Sequence, residues 1–220
     1  MPEKIISFLL QLRPDWGLLS MGIIMVALVL FYWRFERYSI TAREVALIAA
    51  LATIAAVSRI PFAPLPSIQP TTFIVIISGF VLGPPAGFMV GSTAALVSNF
   101  FLGQGPWTPW QMWGWGLAGL LAGFIKITFP NTGSRGLLIF CFFWGYIFGW
   151  TMNLWSWMAF FHPLSWTSFI ATCAASFWFD TLHAVGNVAF YWLFGPTFLK
   201  ILRRYSRKLR VRQILWVEEG

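Results

Sequence analysis

Charged residues are scarce in this 220-residue chain. They make up 10% of the sequence, against about 25% in a soluble protein, and only seven residues are acidic. Hydrophobic residues reach 58%, and the mean hydropathy is +0.72. This composition excludes a soluble domain. The net charge of +8 does not indicate a nucleic-acid partner, because the basic residues flank apolar runs and therefore favour a membrane-topology signal.

Motifs for catalysis and metal binding are also missing. The glycine-rich stretches "GFVLGPP" and "GQGPW" lack the Lys-Ser/Thr pair with which a phosphate loop holds nucleotide and magnesium. No nucleophile arrangement or metal triad occurs, so the sequence predicts neither an enzyme nor a resident cofactor. The two cysteines, Cys141 and Cys173, are predicted near opposite ends of neighbouring spans, which argues against a disulfide.

Long apolar runs are what the chain has instead. Alternating ten-residue strands are absent, so the runs predict an all-α polytopic membrane bundle rather than a β-barrel. The first run ends in Tyr-Trp-Arg and has no small-residue cleavage site, which predicts a retained helix and not a signal peptide. The predicted spans are 16–33, 43–60, 68–83, 86–102, 110–126, 137–161 and 166–198.

Basic residues predict the orientation of these spans. With seven spans, all but three of the fifteen basic residues fall on one side of the membrane; the exceptions are Lys4, Arg13 and Arg59. The positive-inside rule makes the basic side cytoplasmic, so the N-terminus is predicted outside and the C-terminus in the cytoplasm. The tail "KILRRYSRKLRVR" is predicted either to lie on anionic headgroups or to dock on a partner.

Proline- and tryptophan-rich connections then all fall on the outer side, at 59–70, 103–109 and 161–166. Their tryptophans have two interpretations. They form an interfacial belt, or they form the walls of a pocket in which the amides of Gln104, Gln111 and Asn153 bind a large, neutral, amide-bearing or ring-shaped ligand. Elaboration of the outer loops alone favours binding on that side.

Polar residues form a stripe on the last predicted span. Asp180 is the only acidic side chain within a span away from its ends, and such a carboxylate should face the bundle interior because burial in hydrocarbon is costly. The stripe predicts ligand contact, a proton relay, or an interhelical hydrogen-bond cluster with Asn153 or Thr151. Its members follow at helical spacings of three, four and four residues: Asp180, His183, Asn187 and Tyr191.

Small residues recur at four-residue spacing, which allows helices to approach closely. The glycine pairs predict internal packing, whereas the alanines of the second span predict an external surface that docks on another membrane protein. The glycine pairs are Gly79/Gly83, Gly87/Gly91, Gly119/Gly123 and Gly145/Gly149. The alanines are Ala42, Ala46, Ala50, Ala52 and Ala56.

Together these features resemble the substrate-capture (S) component of an energy-coupling factor (ECF) vitamin transporter. The resemblance covers about residues 42–198 and is carried by "TAREVALIAALATIAAVSR", "IQPTTFIVIISGFVLGPPAGFMVGSTAALVSNFFLGQGPWTPWQM" and "FDTLHAVGNVAF". It is most similar to the cobalamin-type S components. The implied fold is a six-helix substrate-binding membrane domain (42–199), preceded by an extra N-terminal transmembrane helix and linker (1–41) and followed by a basic cytoplasmic tail (200–220).

The resemblance also implies partners. Such proteins bind a vitamin from outside, dock on a membrane coupling subunit that carries two cytoplasmic ATPases, and topple in the bilayer to release the vitamin inward. The family's Ala-xxx-Ala docking motif falls on Ala46/Ala50 or Ala52/Ala56, and the loop at 103–109 is interpreted as a gate over the ligand. The predicted substrate-binding residues are Gln69, Thr72, Asn99, Gln104, Trp107, Trp110, Gln111, Asn153, Trp157, Asp180 and His183.

Other functions remain open at this point. The transported ligand could be riboflavin, folate or a queuosine precursor instead of cobalamin. An autonomous secondary transporter of a small neutral metabolite would require inverted repeats and broken midplane helices, which the sequence does not show. A membrane enzyme lacks its catalytic constellation, and a structural scaffold would not explain the one-sided loops.

Overall fold

Seven α-helices make up most of the described part of the chain. The computed structural model describes residues 15–37 and 40–218, with side chains to residue 208, and those ranges contain no strand. The all-helical prediction is confirmed. The helices are α1 (Trp16–Glu36), α2 (Ala42–Val57), α3 (Thr71–Leu82), α4 (Pro84–Leu102), α5 (Thr108–Thr128), α6 (Ser134–Phe160) and α7 (Trp166–Glu218), and a 3₁₀ helix (Ile60–Phe62) follows α2.

Local sequence sets the helix boundaries. The Asp15 side chain caps α1, and Thr41 and Glu44 form a capping box at the start of α2. Prolines occupy the first turns of α4 and α5, where a missing N–H leaves no intrahelical bond unmade. Gly83 and Gly103 have φ of +99° and +106°, which glycine adopts without a Cβ clash, so the chain turns at both ends of α4.

Membrane spans are identified by length and hydropathy. Helix α3 has only 12 residues, a rise of about 18 Å, and cannot alone cross a hydrocarbon core of about 30 Å. Helix α5 has 21 residues but is less apolar than the helices that qualify as spans. Helix α7 continues well beyond its predicted end at residue 198. Within the described ranges the qualifying segments are Trp16–Glu36, Ala42–Phe62, Pro84–Leu102, Ser134–Phe160 and Trp166–Lys208.

Glycines bring the central helices into backbone contact. A Cβ at Gly79 would collide with the backbone of Gly119, and a Cβ at Gly119 would collide with the backbone of Gly87. A Cβ at Gly145 of α6 would likewise collide with the backbone of Ala184 in α7. Internal packing, the interpretation favoured for the glycine pairs, is confirmed at these positions. Helices α3, α4 and α5 therefore form a tightly packed centre.

Helices α6 and α7 run antiparallel along their shared interface. Asn153 of α6 donates to Ser176, while Asn187 donates to the carbonyl of Cys141 nearer the start of α6. This register places Cys141 and Cys173 near opposite ends of the pair, and both are free thiols. The predicted placement of the two cysteines near opposite ends of neighbouring helices is confirmed.

Helix α1 packs against α5 and α6, most closely where Gly17 meets Ala159, and reaches α4 through Phe31 and Tyr32. Phe31 stacks on Phe88 with ring centroids 3.7 Å apart. The Tyr32 hydroxyl lies 2.9 Å from that of Ser92 and 3.1 Å from that of Thr93. An open, mainly apolar cavity of about 880 Å³ separates α1 from α2, α4 and α5 elsewhere. Contact between α1 and the core is therefore discontinuous.

Candidate ligand-binding site

Arg59 joins three segments of the chain just beyond the end of α2. Its Nε donates to Gln69 Oε1 at 2.7 Å. Its Nη1 donates to Ser98 Oγ at 2.6 Å and to Asn99 Oδ1 at 3.0 Å, both in the last turns of α4. All three acceptors are uncharged. The 59–70 connection therefore folds against the bundle instead of extending away from it.

Asn99 extends this contact to α5. Its side chain is only 2% exposed, and its Nδ2 donates to Thr108 Oγ1 at 3.0 Å and to Gln111 Oε1 at 2.8 Å. The ends of α2 and α4, the approach to α3 and the start of α5 thus meet at one polar centre. We call it the Arg59 cluster and define it as Arg59, Gln69, Ser98, Asn99, Thr108 and Gln111.

Trp115 lies beneath the guanidinium of Arg59, with the Arg59 Cζ 4.7 Å from a ring centroid. The Trp115 Nε1 donates to Thr72 Oγ1 at 3.1 Å, and Thr72 Oγ1 lies 2.9 Å from His183 Nε2. This chain of contacts links the Arg59 cluster to α3 and α7. Buried polar groups that are satisfied in this way hold helices in a defined arrangement.

Exposure divides the Arg59 cluster into a floor and a rim. Ser98, Asn99 and Thr108 are buried, at 0%, 2% and 4% exposed. Arg59, Gln69 and Gln111 are half-buried and keep part of their polar surface accessible. A polar cluster with a satisfied floor and an accessible rim offers hydrogen-bonding groups to a ligand.

The 103–107 loop is fixed next to this cluster by its own hydrogen bonds. Gln104 accepts from the Thr108 hydroxyl at 2.9 Å and donates to the carbonyl of Leu96 at 3.1 Å. The half-buried Trp107 covers Gly105 and meets Trp155 of α6 edge-on, with centroids 6.0 Å apart. Gln104 therefore holds the loop, and Trp107 supplies an aromatic wall between the loop and α6.

Trp110 has a different environment from Trp107. It is 4% exposed, and its Nε1 has no hydrogen-bond partner within the described residues. Gly114, one turn later on the same face, lies against Phe148 and Thr151 of α6. The Trp110 ring is therefore part of the hydrophobic core.

The predicted site residues on α6 and α7 form a separate interhelical contact. Asn153 Nδ2 donates to Ser176 Oγ at 2.6 Å, and Ser176 Oγ donates to Asp180 Oδ2 at 2.9 Å. The carboxylate of Asp180 lies directly over Gly149. Trp157 donates to Ser168 at 2.8 Å, also across the α6–α7 pair. This arrangement matches the interhelical interpretation of Asp180, and among the described hydrogen bonds none joins it to the Arg59 cluster.

The remaining members of the α7 stripe also face inward. His183, Asn187 and Tyr191 are 3%, 0% and 1% exposed. Tyr191 lies 3.2 Å from the Ser134 hydroxyl at the start of α6. The predicted inward orientation of the stripe is confirmed. Among the described hydrogen bonds, the one between His183 and Thr72 links the stripe towards the Arg59 cluster.

Arg59, Ser98, Thr108 and Trp115 were not among the residues predicted from the sequence. Arg59 was assigned to the membrane flank as an exception to the charge asymmetry. That exception was the sequence signal for a role in the site. A lone arginine on the predicted outer side, beside a proline-rich connection, does not help to orient the spans and therefore needs another explanation. The hydroxyls of Ser98 and Thr108 gave no comparable signal.

The alanines of α2 divide between two faces. Ala46 and Ala50 are exposed, together with Ala42 and Ala49. Ala52 and Ala56 are each 1% exposed and pack inside the bundle. Of the two Ala-xxx-Ala pairs, only Ala46/Ala50 lies on a surface that another protein can reach.

Comparison with known proteins gives the family. Residues 43–202 match the family model described as "ECF transporter, substrate-specific component". The chain belongs to this family. An S component is part of a transporter and not an enzyme, and all six residues of the Arg59 cluster lie inside the matched range, whereas α1 lies outside it.

The curated relatives share low sequence identity with this chain. The S component is 28% identical over 124 residues to a UPF0397 protein of Aliivibrio fischeri strain MJ11, which covers 50% of this chain and 67% of that protein. The UPF0397 protein of Aliivibrio fischeri strain ATCC 700601 / ES114 gives the same values. No solved structure gives a significant match.

Proposed function

We propose that this S component captures a vitamin or vitamin precursor at the Arg59 cluster for an ATP-driven importer. The observation that carries the proposal is the half-open polar centre itself, in which buried Ser98, Asn99 and Thr108 support the accessible side chains of Arg59, Gln69 and Gln111. Polar groups inside an apolar bundle are costly and mark function more often than stability. Trp107 supplies an apolar wall beside them.

The positive-inside rule supports capture from the extracytoplasmic side. The basic residues Arg34, Arg37, Lys126 and Arg135 lie at the other ends of their helices from the Arg59 cluster. If that basic end is cytoplasmic, the cluster faces outward and the C-terminal part of α7 lies in the cytoplasm. The ligand then enters from outside, as import requires.

Energy for release must come from partner proteins, because the sequence carries no nucleotide-binding motif. We assign docking to the exposed Ala46/Ala50 face of α2, where small side chains allow a partner helix to approach closely. The partner is a membrane coupling subunit that carries two cytoplasmic ATPases. Ala52 and Ala56, being buried, are left out of this face.

Cobalamin is the ligand that the sequence resemblance favours, and riboflavin, folate and a queuosine precursor are the alternatives. Titration calorimetry of the purified full-length chain against these compounds and biotin, without ATP, tests the proposal. We expect saturable binding of one compound. Failure to bind any vitamin-class ligand would overturn the proposed function.

A matched pair of variants locates the binding. Gln69→Ala removes a rim side chain of the Arg59 cluster and should weaken binding. Ser156→Ala makes a comparable polar-to-alanine change on α6, away from that cluster, and should leave the affinity unchanged. Equal effects of both changes would place the ligand elsewhere.

A further inference from the structure

Arg59 fixes which way the surrounding amides point. An arginine side chain only donates hydrogen bonds, so the atom of Gln69 that faces its Nε must be the carbonyl oxygen. The amide nitrogen of Gln69 then points away from Arg59. The orientation of this amide follows from the arginine and does not depend on distinguishing nitrogen from oxygen by position.

Asn99 sets the orientation of the Gln111 amide in the same way. Because Asn99 Oδ1 accepts from Arg59, its Nδ2 faces α5 and donates, so the facing atom of Gln111 is Oε1. The Nε2 of Gln111 is therefore turned away from Asn99. One arginine thus sets the direction of all three amides in the Arg59 cluster.

The side-chain nitrogens left without a hydrogen bond at the rim are all donors. Among the hydrogen bonds within residues 15–37 and 40–208, none uses Arg59 Nη2, Gln69 Nε2 or Gln111 Nε2. None of these three nitrogens is among the buried atoms that lack a partner, so each keeps accessible surface. The acceptors that contact Arg59 are all uncharged, and its positive charge is not neutralised by any acidic side chain in those ranges.

We propose that Arg59 Nη2, Gln69 Nε2 and Gln111 Nε2 form an anion subsite that binds a carboxylate or phosphate group of the transported ligand. This inference rests on the proposed function and narrows its substrate class to ligands with a negatively charged group. An anionic acceptor satisfies all three donors and neutralises Arg59, and charge-assisted bonds of this kind are stronger than bonds between neutral groups. A purely neutral ligand would leave the arginine charge uncompensated in an apolar bundle.

The face of Trp115 supports this geometry. It covers one side of the guanidinium, while the Nε and Nη1 edges are occupied by protein acceptors. The Nη2 edge is the part of Arg59 that remains for a ligand. The subsite then also gives specificity. A ligand that presents a hydrogen-bond donor here leaves the donors of Arg59, Gln69 and Gln111 unpaired beneath it.

Matched acid and neutral ligands test the subsite. Calorimetry on the full-length chain compares nicotinate with nicotinamide, biotin with biotinamide, and pantothenate with panthenol for a carboxylate. It compares flavin mononucleotide with riboflavin, and thiamine monophosphate with thiamine, for a phosphate. In the pair that binds, we expect the acid to bind at least about tenfold more tightly. The pair that responds distinguishes carboxylate from phosphate.

An isosteric variant tests whether the preference for the acid depends on the rim of the Arg59 cluster. Gln111→Glu keeps the oxygen that accepts from Asn99 and replaces the outward donor with a negative oxygen, so affinity for the acid should fall at least about tenfold. Asn131→Asp makes the same chemical change in the exposed α5–α6 connection and should have no effect. If Gln111→Glu does not fold by thermal melting, Gln69→Glu tests the same rim from the other side of Arg59.

Each outcome is decisive. Equal or tighter binding of the neutral member, or an acid affinity that Gln111→Glu and Gln69→Glu leave unchanged, overturns the anion subsite while the proposed function stands. If cobalamin, folate or another vitamin binds and the rim variants leave its affinity unchanged, the anion subsite is likewise overturned while the proposed function stands. Failure of every vitamin-class compound to bind overturns the proposed function, and the subsite with it.

Discussion

Replacing Asn99 with aspartate should separate stability from ligand binding. The two side chains have the same size, and the introduced carboxylate would keep an oxygen facing Arg59 Nη1, now as an ion pair in place of the neutral contact of 3.0 Å. It could no longer donate to Thr108 or Gln111, which lie at 3.0 Å and 2.8 Å. The Gln111 amide would rotate to present its nitrogen to the new carboxylate.

The expected change in stability is small because two effects oppose each other. Interhelical hydrogen bonds in membrane proteins contribute about 0.6 kcal/mol each, so the lost bond to Thr108 costs about 0.6 kcal/mol, while the rotated Gln111 amide replaces the other bond. A charge-assisted bond to Arg59 contributes about 1.5–3 kcal/mol. The free energy of unfolding should therefore stay within about 2 kcal/mol of wild type. Asn99→Ala loses all three bonds, gains nothing and should destabilise the protein by about 2 kcal/mol or more.

Ligand binding should change far more. The carboxylate introduced by Asn99→Asp would neutralise Arg59 and turn the Gln111 nitrogen inward, so affinity for an anionic ligand should fall at least about tenfold. Thermal unfolding in detergent measures stability and calorimetry measures affinity, with Asn131→Asp as the control. Wild-type affinity in a stably folded Asn99→Asp protein would refute the assignment of the Arg59 cluster as the binding site.

Three further changes test other parts of the account. Ala50→Trp should abolish vitamin uptake into cells that express the coupling proteins while leaving affinity unchanged, because the bulky ring blocks docking; normal uptake would show that the docking face is wrongly assigned. Gly119→Val should lower the melting temperature, at a cost of about 1–3 kcal/mol, since its Cβ meets the backbone of Gly87, and an unchanged melting temperature would contradict that contact. Trp107→Ala should weaken binding by about 1–3 kcal/mol; unchanged affinity would assign Trp107 to an interfacial belt.

Helix number and the inward stripe of α7 could be predicted from the sequence, because both follow from periodicity. A membrane helix requires a long apolar run, and residues three and four apart share one face. Helix α3 shows the limit of this reasoning. Its run extends to residue 68 in the sequence, but Pro70 begins the helix at Thr71, and the preceding residues fold against α4 instead.

The composition of the site was only partly predictable. Gln69, Asn99 and Gln111 are among the residues that the sequence predicts for the site. The neutral ligand was suggested by the amides of Gln104, Gln111 and Asn153 beside the outer tryptophans. Arg59 contacts Gln69 and Asn99 directly and reaches Gln111 only through Asn99. It is separated from Asn99 by 40 residues, and no local pattern indicates which loop residue will contact which helix end. The cluster could therefore be identified only from the fold. The positive charge of Arg59 within it changes the expected ligand from a neutral to an anionic one.

Mass spectrometry of small molecules that co-purify with the chain tests the central claim most directly. The full-length protein and its Arg59→Gln variant are purified in parallel from cells grown in vitamin-containing medium, and their bound ligands are released and identified. We predict that the wild-type protein carries a vitamin or precursor with a carboxylate or phosphate group, and that the folded variant carries little of it. A wild-type protein without any such compound, or a variant that retains it fully, would contradict the account.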